Sequence, residues 1–227
     1  MTRRTRQMIL EEARVRARTL VTEEVLSGGE RYLRPYLLHN RGAQFEDSAD
    51  SAHPNMITQR DLDALECLSV RVTVESADRL LSEHISEALS EKLAMIPTDL
   101  ALEDVPEPEF STVLGRRSDA WELWNLTYEQ LRDAPVRAGR QVTAGKLLCA
   151  KRPQLLPIFD SQVGRALRVT NNNVWHAVWY VLQDEQARLG LESLRHEVVE
   201  AKDRSLVRVL DIVAWKDGAP RFLTAGG

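Results

Sequence analysis

Apolar residues in this chain recur at helical spacing along most of its length, and this pattern constrains the fold more than any other feature. Residues 2–26 carry Ile9, Ala13 and Ala17 one helical turn apart, with charged residues between them. Residues 76–95 repeat the pattern with leucine and isoleucine. Side chains three or four positions apart share one face of an α-helix. The sequence therefore predicts an all-α fold, with at most a minor β element.

The ends of several predicted helices are marked by capping and turn residues. Thr58 with Asp61 three positions later is typical of a helix start, and Ser118 is a plausible N-cap for another helix. Residues 175–189 form a further predicted helix, which Gly190 is expected to end.

An acidic, proline-containing stretch at residues 102–108 is the best candidate for a boundary between lobes. It predicts an N-terminal helical lobe over residues 1–108 and a C-terminal lobe over residues 109–227. One continuous domain is the alternative.

Composition excludes several classes of protein. The chain has 227 residues, of which 43% are hydrophobic and 28% are charged, which suits a soluble protein with a real core. No apolar run approaches the roughly 20 residues of a membrane helix, and the basic N-terminus lacks the apolar core of a signal peptide. Cys67 and Cys149 lack neighbours at ligand spacing. We expect a cytoplasmic protein without metal or cofactor and without an obligate protein partner.

Residues 136–168 form the most basic part of an acidic protein. They contain seven Lys or Arg and one acid, Asp160, so they carry +6, whereas the whole chain carries −4 and the remainder −10. Screening over about 10 Å makes the local charge more important than the total. A basic, turn-rich segment of this kind predicts contact with the backbone of double-stranded DNA.

A glycine turn before a helix exposes backbone N–H groups that bind phosphate well. A short helix–hairpin–helix of this kind holds the backbone without reading sequence. The candidate phosphate-binding residues are Gly139, Arg140, Thr143, Lys146, Lys151 and Arg152.

Asp160 stands at the start of the next predicted helix and is the candidate catalytic residue. A carboxylate there can stabilise positive charge on a sugar or orient an attacking water, as cleavage of an N-glycosidic bond requires. An aspartate before Ser161 is also typical of an ordinary N-cap, which is the alternative role. The two roles are compatible, because a capping carboxylate is also well oriented.

This segment resembles the helix–hairpin–helix DNA glycosylase superfamily. Thr143 and Ala144 match the start of the second hairpin helix, and residues 157–163 resemble the family's aspartate segment. The family's bifunctional members carry a lysine nucleophile where Val142 stands here, 18 residues before Asp160. The resemblance implies a helical two-lobe enzyme that flips a nucleotide and uses Asp160 and water, without Schiff-base chemistry.

The predicted hairpin departs from the family pattern. Its two glycines normally flank one residue, but Ala138 and Arg140 occupy those positions, with Gly139 between them. The departure implies a distorted hairpin, or a phosphate contact moved to the Arg140 side chain.

A second resemblance covers more of the chain. Residues 55–62, 146–153 and 207–212 resemble an uncharacterised family common in actinobacteria. This resemblance implies a shared fold from near Phe45 to near Trp215. It does not indicate an activity.

Three aromatic residues are candidates for the base pocket, namely Trp121, Trp124 and Phe45. Core packing is the alternative, and we expect it for Trp175 and Trp179, which lie four positions apart.

Asp211 lies in an apolar run over residues 206–215 that fits either a helix or a strand. Two interpretations are open for its carboxylate. It is buried and paired with an arginine such as Arg208, or it lines a cleft.

The sequence thus favours a monofunctional DNA glycosylase acting on a damaged or modified base, including a modified base of invading phage DNA. A non-catalytic helix–hairpin–helix DNA-binding module and a helical protein-interaction domain are the alternatives.

Overall fold

The computed structural model describes residues 2–132 and 139–219, and the regular elements in those ranges are all helical. The all-α prediction is therefore confirmed. Ala138, on which the hairpin alignment depends, lies outside the described residues. Within them, no helix has both the length and the apolar character needed to cross a bilayer.

The helices follow one another with short connections. The first seven are α1 Arg3–Leu26, α2 Leu33–His39, α3 Phe45–Ser48, α4 Gln59–Ala64, α5 Val74–Leu81, α6 Glu83–Ala94 and α7 Glu107–Leu114. The next six are α8 Asp119–Gln130, α9 Arg140–Lys151, α10 Ser161–Leu167, α11 Val174–Leu182, α12 Glu185–Glu197 and α13 Leu206–Gly218. Short 3-10 turns occur at Arg41–Gln44, Leu65–Leu68, Leu102–Asp104 and Val199–Ala201.

Helix α1 is the long element against which the C-terminal helices pack, and its predicted range is confirmed. Thr2 caps it by accepting a hydrogen bond from the backbone N–H of Thr5 at 3.2 Å. One apolar stripe is buried against α10, α11, α12 and α13. The stripe consists of Leu10, Ala13, Ala17, Leu20 and Val21.

Gly190 lies inside α12, so the prediction that it ends a helix is wrong. A Cβ at this position would approach the Val21 side chain of α1 to 2.5 Å, and glycine therefore permits close packing of the two helices. The break comes earlier, between α11 and α12. There Asp184 Oδ1 accepts a hydrogen bond from the backbone N–H of Ala187 at 3.0 Å and caps α12.

The single helix predicted over residues 76–95 is in fact two helices, α5 and α6, which separate at Ser82. The Ser82 hydroxyl donates to the backbone carbonyl of Arg79 at 2.7 Å, and the Ser82 backbone is extended. A serine side chain competes in this way with helical backbone hydrogen bonds. The periodicity continues on both sides because α5 and α6 each pack against α8.

Contacts run across the predicted lobe boundary near residue 108. Helix α1 packs on α10–α13, α6 packs on α8, and the backbone N–H of Leu102 donates to the carbonyl of Gln154 at 3.0 Å. One hydrophobic cluster includes residues from both predicted lobes. The division into lobes stays a prediction.

The apolar run near the C-terminus forms a helix, α13, which Ser205 caps by accepting from the backbone N–H of Arg208 at 3.1 Å. Its most extensive partner is α10. The two helices approach so closely that a Cβ on Gly218 would lie 2.0 Å from the Gln162 carbonyl oxygen. This contact fixes the wall of the cavity described below.

Lys151 is buried and stabilises the fold, so its assignment as a phosphate ligand is wrong. Its Nζ lies 2.5 Å from Asp61 Oδ2, and the two side chains are only 1% and 0% exposed. The same ammonium donates to the carbonyls of Asp50 and His53 at 3.0 and 3.1 Å. Asp61 also forms a capping box with Thr58, and the helix start predicted there is confirmed at α4.

Arg152 is likewise buried, and its assignment as a phosphate ligand is also wrong. The guanidinium donates to the carbonyls of Ile96 and Pro54, each at 2.8 Å, to that of Leu93, and to Asn55 Oδ1 at 2.7 Å. Carbonyls at a helix C-terminus lack intrahelical partners. Arg152 therefore supplies donors to the end of α6 and ties it to residues 54–55.

We expect Lys151→Met to lower the free energy of unfolding by about 3–5 kcal/mol, because it leaves the Asp61 carboxylate buried without a counter-ion. Urea denaturation followed by circular dichroism measures this. Lys202→Met removes an exposed lysine and should change stability by less than about 0.5 kcal/mol. Equal stability of the two variants would show that the buried pair does not stabilise the fold.

Candidate functional site

A cavity of about 580 Å³ opens between α2, α9, α10, α13 and the turn that follows Leu65–Leu68. Its volume lies within the roughly 300–1,000 Å³ of typical small-molecule pockets. The cavity brings Asp160 together with charged and aromatic groups that are distant in sequence. These are Lys146 of α9 and Arg208, Asp211 and Trp215 of α13.

The Asp160 carboxylate is fixed by hydrogen bonds to both of its oxygens. Oδ1 accepts from the backbone N–H groups of Gln162 at 2.9 Å and Val163 at 3.2 Å, so the predicted N-cap of α10 is confirmed. Oδ2 accepts from the indole Nε1 of Trp215 at 3.0 Å. The side chain is 15% exposed, and it borders the cavity. Capping and exposure to the cavity thus coexist in one carboxylate.

Lys146 lies beside Asp160 instead of on the outer surface, so its assignment to the phosphate backbone is corrected. Its Nζ is 3.7 Å from Asp160 Oδ2 and donates to the carbonyl of Leu68 at 3.2 Å. The side chain is 8% exposed. Burial lowers the pKa of Lys146, while the negative charges of Asp160 and Asp211 oppose that shift. Val142 also lines the cavity, one helical turn before Lys146.

The carbonyl that Lys146 contacts is held by a tight turn. Ser69 has φ +57°, in the left-handed region that residues other than glycine adopt rarely. The backbone N–H of Val70 closes the turn by donating to the Leu65 carbonyl at 3.1 Å. The turn directs the Leu68 carbonyl toward α9 and so helps to position the ammonium.

Asp211 satisfies both interpretations made from the sequence, since it pairs with Arg208 and also lines the cavity. The Arg208 guanidinium donates further to the Tyr36 hydroxyl at 3.0 Å and to the Gly42 carbonyl at 2.9 Å. Asp211 Oδ1 is buried and has no hydrogen-bond partner among the described residues. Burial raises the pKa of the Asp211 carboxyl to about 6; Asp160 adds to the rise, and Arg208 opposes it.

The start of α9 retains two of the predicted phosphate-binding residues at the surface. Gly139 has φ +68°, a conformation that glycine adopts readily, and Arg140 is half-buried with its guanidinium 5.1 Å from the centre of the Tyr128 ring. Thr143 is fully buried and donates its hydroxyl to the Gly139 carbonyl at 3.1 Å. Its assignment as a phosphate ligand is therefore wrong.

The three aromatic residues predicted for the base pocket do not line the Asp160 cavity, so that prediction is corrected. Phe45 is fully buried in the hydrophobic core. Trp124 is buried between the rings of Trp121 at 5.4 Å and Tyr128 at 5.2 Å. Trp121 lines a different cavity. The expected core packing of Trp179 is confirmed, whereas Trp175 is partly exposed.

Trp215 and Tyr36 are site residues that the sequence did not reveal as such. Trp215 follows Asp211 by four positions and Arg208 by seven, so helical spacing alone would have placed all three on one face of α13. The Tyr36 ring meets the Trp215 ring edge-on at 5.8 Å. No sequence pattern linked Tyr36 to the cavity, because α2 contributes it from the opposite end of the chain.

The cavity therefore offers a fixed carboxylate, a neighbouring ammonium and a buried arginine–aspartate pair. In the part of the chain that the structure describes, no three or more His, Cys, Asp or Glu residues are grouped so as to hold a metal ion. Such a set of side chains is suited to electrostatic and acid–base chemistry on a polar ligand.

Comparison with protein families gives a match over residues 30–218 to the family described as "Family of unknown function (DUF6308)". This range extends from just before α2 to the end of α13, and it contains every residue that lines the Asp160 cavity. No curated protein and no solved structure matches the chain. Because the match covers most of its length, the chain belongs to the DUF6308 family.

Proposed function

We propose that this protein is a monofunctional DNA glycosylase that hydrolyses the N-glycosidic bond of a nucleotide flipped into the Asp160 cavity. The observation that carries the proposal is the Asp160 carboxylate, immobilised at the wall of a cavity large enough for a base. The resemblance of residues 157–163 to the aspartate segment of helix–hairpin–helix glycosylases supports the same role.

In the proposed reaction the bond between C1′ and the base breaks, and the base leaves with the bonding electrons. Positive charge develops on the sugar, and the fixed negative charge of Asp160 stabilises it. A water oriented by the same carboxylate adds its oxygen to C1′ and gives up a proton, while the departing base takes up a proton. The products are the free base and an abasic site.

Hydrogen bonding prepares Asp160 for this role before substrate arrives. Two backbone N–H groups and the Trp215 indole hold the carboxylate, so it needs little reorganisation during the reaction. The Lys146 ammonium at 3.7 Å adds a positive charge beside Oδ2. We assign Lys146 a positioning role, because its Nζ is engaged by Asp160 and by the Leu68 carbonyl.

The size of the cavity favours a base that carries a substituent. Pockets of this volume accept drug-sized ligands, which are larger than a single heterocycle. Modified bases of invading phage DNA fit this description, and excision of such a base would damage the phage genome selectively. Of the candidate phosphate-binding residues, Gly139 and the half-buried Arg140 at the start of α9 remain accessible.

We expect Asp160→Asn to reduce base excision by roughly 10²–10³-fold, since it removes the charge that stabilises the sugar cation. Asparagine is as good an N-cap as aspartate, so α10 should persist. The measurement is alkali-dependent cleavage of labelled duplexes that carry unmodified, damaged or modified bases, including DNA prepared from diverse phages.

Asp203→Asn, which alters an exposed aspartate, is the matched control and should retain full activity. Full activity of Asp160→Asn would exclude the proposed mechanism. Salt-dependent DNA binding without base loss from any substrate would instead indicate a non-catalytic DNA-binding module. No binding even at low salt would favour a protein-interaction domain.

A second prediction concerns the nucleophile. We expect no covalent protein–DNA adduct when substrate and enzyme are treated with sodium borohydride, because Val142 stands where the resembled family has its lysine. Strand cleavage should accordingly require alkali. An adduct that disappears in Lys146→Gln would contradict the monofunctional mechanism and identify Lys146 as the nucleophile.

A further inference from the structure

A second cavity, of about 490 Å³, lies between the beginning of α1, the connection from α7 to α8, and the start of α11. It shares no lining residue with the Asp160 cavity. Its described lining contains three arginines and no aspartate or glutamate. The residues on which the inference rests are Arg6, Arg116, Arg117, Trp121, Trp175 and Asn172.

The positive charge in this cavity is not neutralised by the surrounding protein. Arg116 and Arg117 are exposed, and neither forms an ion pair with any residue that the structure describes. Arg6 donates from Nε to Nδ1 of His176 at 3.0 Å. Burial lowers the pKa of that imidazole to about 4, and Arg6 contributes to the shift, so His176 accepts this hydrogen bond as a neutral ring.

The two acids that flank Trp121 in the sequence of α8 are engaged elsewhere. Asp119 and Glu122 lie 3.2 and 2.5 Å from the Nζ of Lys92 on α6. Both carboxylates therefore contact Lys92, and neither forms an ion pair with Arg116 or Arg117. The arginines remain available for an anion from solution, for which the guanidinium fork is well suited.

Aromatic surface lies directly beside these cations. Trp121 and Trp175 are partly exposed, and their rings meet edge-on with centroids 5.8 Å apart. The Arg116 guanidinium carbon lies 5.5 Å from the centre of the Trp121 ring, and Trp124 supports that ring from within the fold. Ser118 fixes the start of this helix by accepting from the backbone N–H of Trp121 at 3.2 Å. Aromatic side chains interleaved with arginines are typical of nucleobase and phosphate binding.

Polar groups without protein partners complete the cavity. The side-chain amides of Asn171 and Asn172 make no hydrogen bond to any described residue, and Asn172 is exposed. Asn173 precedes α11, but its Oδ1 accepts from the backbone N–H of Thr170 at 2.8 Å and does not cap the helix. The first-turn N–H groups of α11 therefore lack a side-chain acceptor, which favours an anion at this end of the cavity.

We propose that this second cavity binds a nucleotide, with its phosphate on the arginines and its base against Trp121 and Trp175. The asparagine amides would contact the base edge or the sugar. This site does not depend on the glycosylase activity proposed for the Asp160 cavity. The nucleotide comes either from solution or from a DNA strand, and the two sources share the chemistry of a phosphate joined to an aromatic base.

The test is fluorescence anisotropy of a short fluorescein-labelled single-stranded oligodeoxynucleotide, with unlabelled 2′-deoxyadenosine 5′-monophosphate, 2-deoxyribose 5-phosphate and inorganic phosphate as competitors. We expect Arg116→Gln combined with Arg117→Gln to weaken binding about tenfold or more. If two phosphate contacts are lost, the slope of log K against the logarithm of the salt concentration should become less negative by about 1.4. Arg188→Gln combined with Lys202→Gln removes the same charge outside both cavities and is the matched control.

If the mononucleotide displaces the labelled oligonucleotide at a lower concentration than the sugar phosphate does, the site is supported. That result identifies a free nucleotide as a ligand. Binding of the oligonucleotide alone, weakened by the arginine variant and not by the control, supports it with DNA as the source. Absence of binding, equal loss in both double variants, or equal competition by all three small molecules overturns it. Asp160→Asn leaves this cavity intact. Oligonucleotide binding by that variant therefore tests this site independently of the glycosylase proposal.

Discussion

The buried contact between the Lys151 ammonium and the Asp61 carboxylate is the interaction on which the arrangement of the site depends. It joins the last residue of α9 to the first turn of α4, and the adjoining Arg152 guanidinium joins the same point to the end of α6. An unpaired charge at such a position would cost several kcal/mol, so the orientation of α9 is strongly specified. That orientation places Lys146 at the cavity. It also fixes the start of the connection that leads from α9 to Asp160.

Asp160 shows how one carboxylate can cap a helix and also border a cavity. Its Oδ1 receives two backbone N–H groups, and this cap contributes about 1 kcal/mol to α10. Its Oδ2 faces Trp215 and Lys146. Because the cap is formed by one oxygen, the other can interact with a ligand without disturbing the helix. The close approach of α10 and α13 at Gly218 keeps Trp215 within hydrogen-bonding distance of that oxygen.

The sequence predicted helices well and burial of charge poorly, for physical reasons. Helical periodicity reflects an apolar face that is buried, so it identified α1, while it left α13 open between helix and strand. Capping side chains identified the starts of α4, α8 and α10. The periodicity did not reveal the breaks at Ser82 and before α12, because the apolar pattern continues through both.

Lys151 and Arg152 resembled exposed phosphate ligands because their carbonyl and carboxylate partners lie far earlier in the chain, which a local pattern cannot show. Asp160 was predictable as a candidate, since a single acid before a helix in a basic segment is a local feature. The facing wall of its cavity, with Tyr36 and Arg208, arises only from tertiary packing.

The packing of α1 against α10–α13 has a consequence for how the protein is made. Arg16 of α1 donates to the carbonyl of Ala166, a residue 150 positions later, and the apolar stripe of the helix is covered largely by elements at least as distant. At about 5–20 residues per second, those partners leave the ribosome roughly 8–30 s after α1. During that interval the stripe has no native surface to cover it. We therefore expect chaperones that bind apolar helices to cover the stripe of α1 until the C-terminal helices have been synthesised.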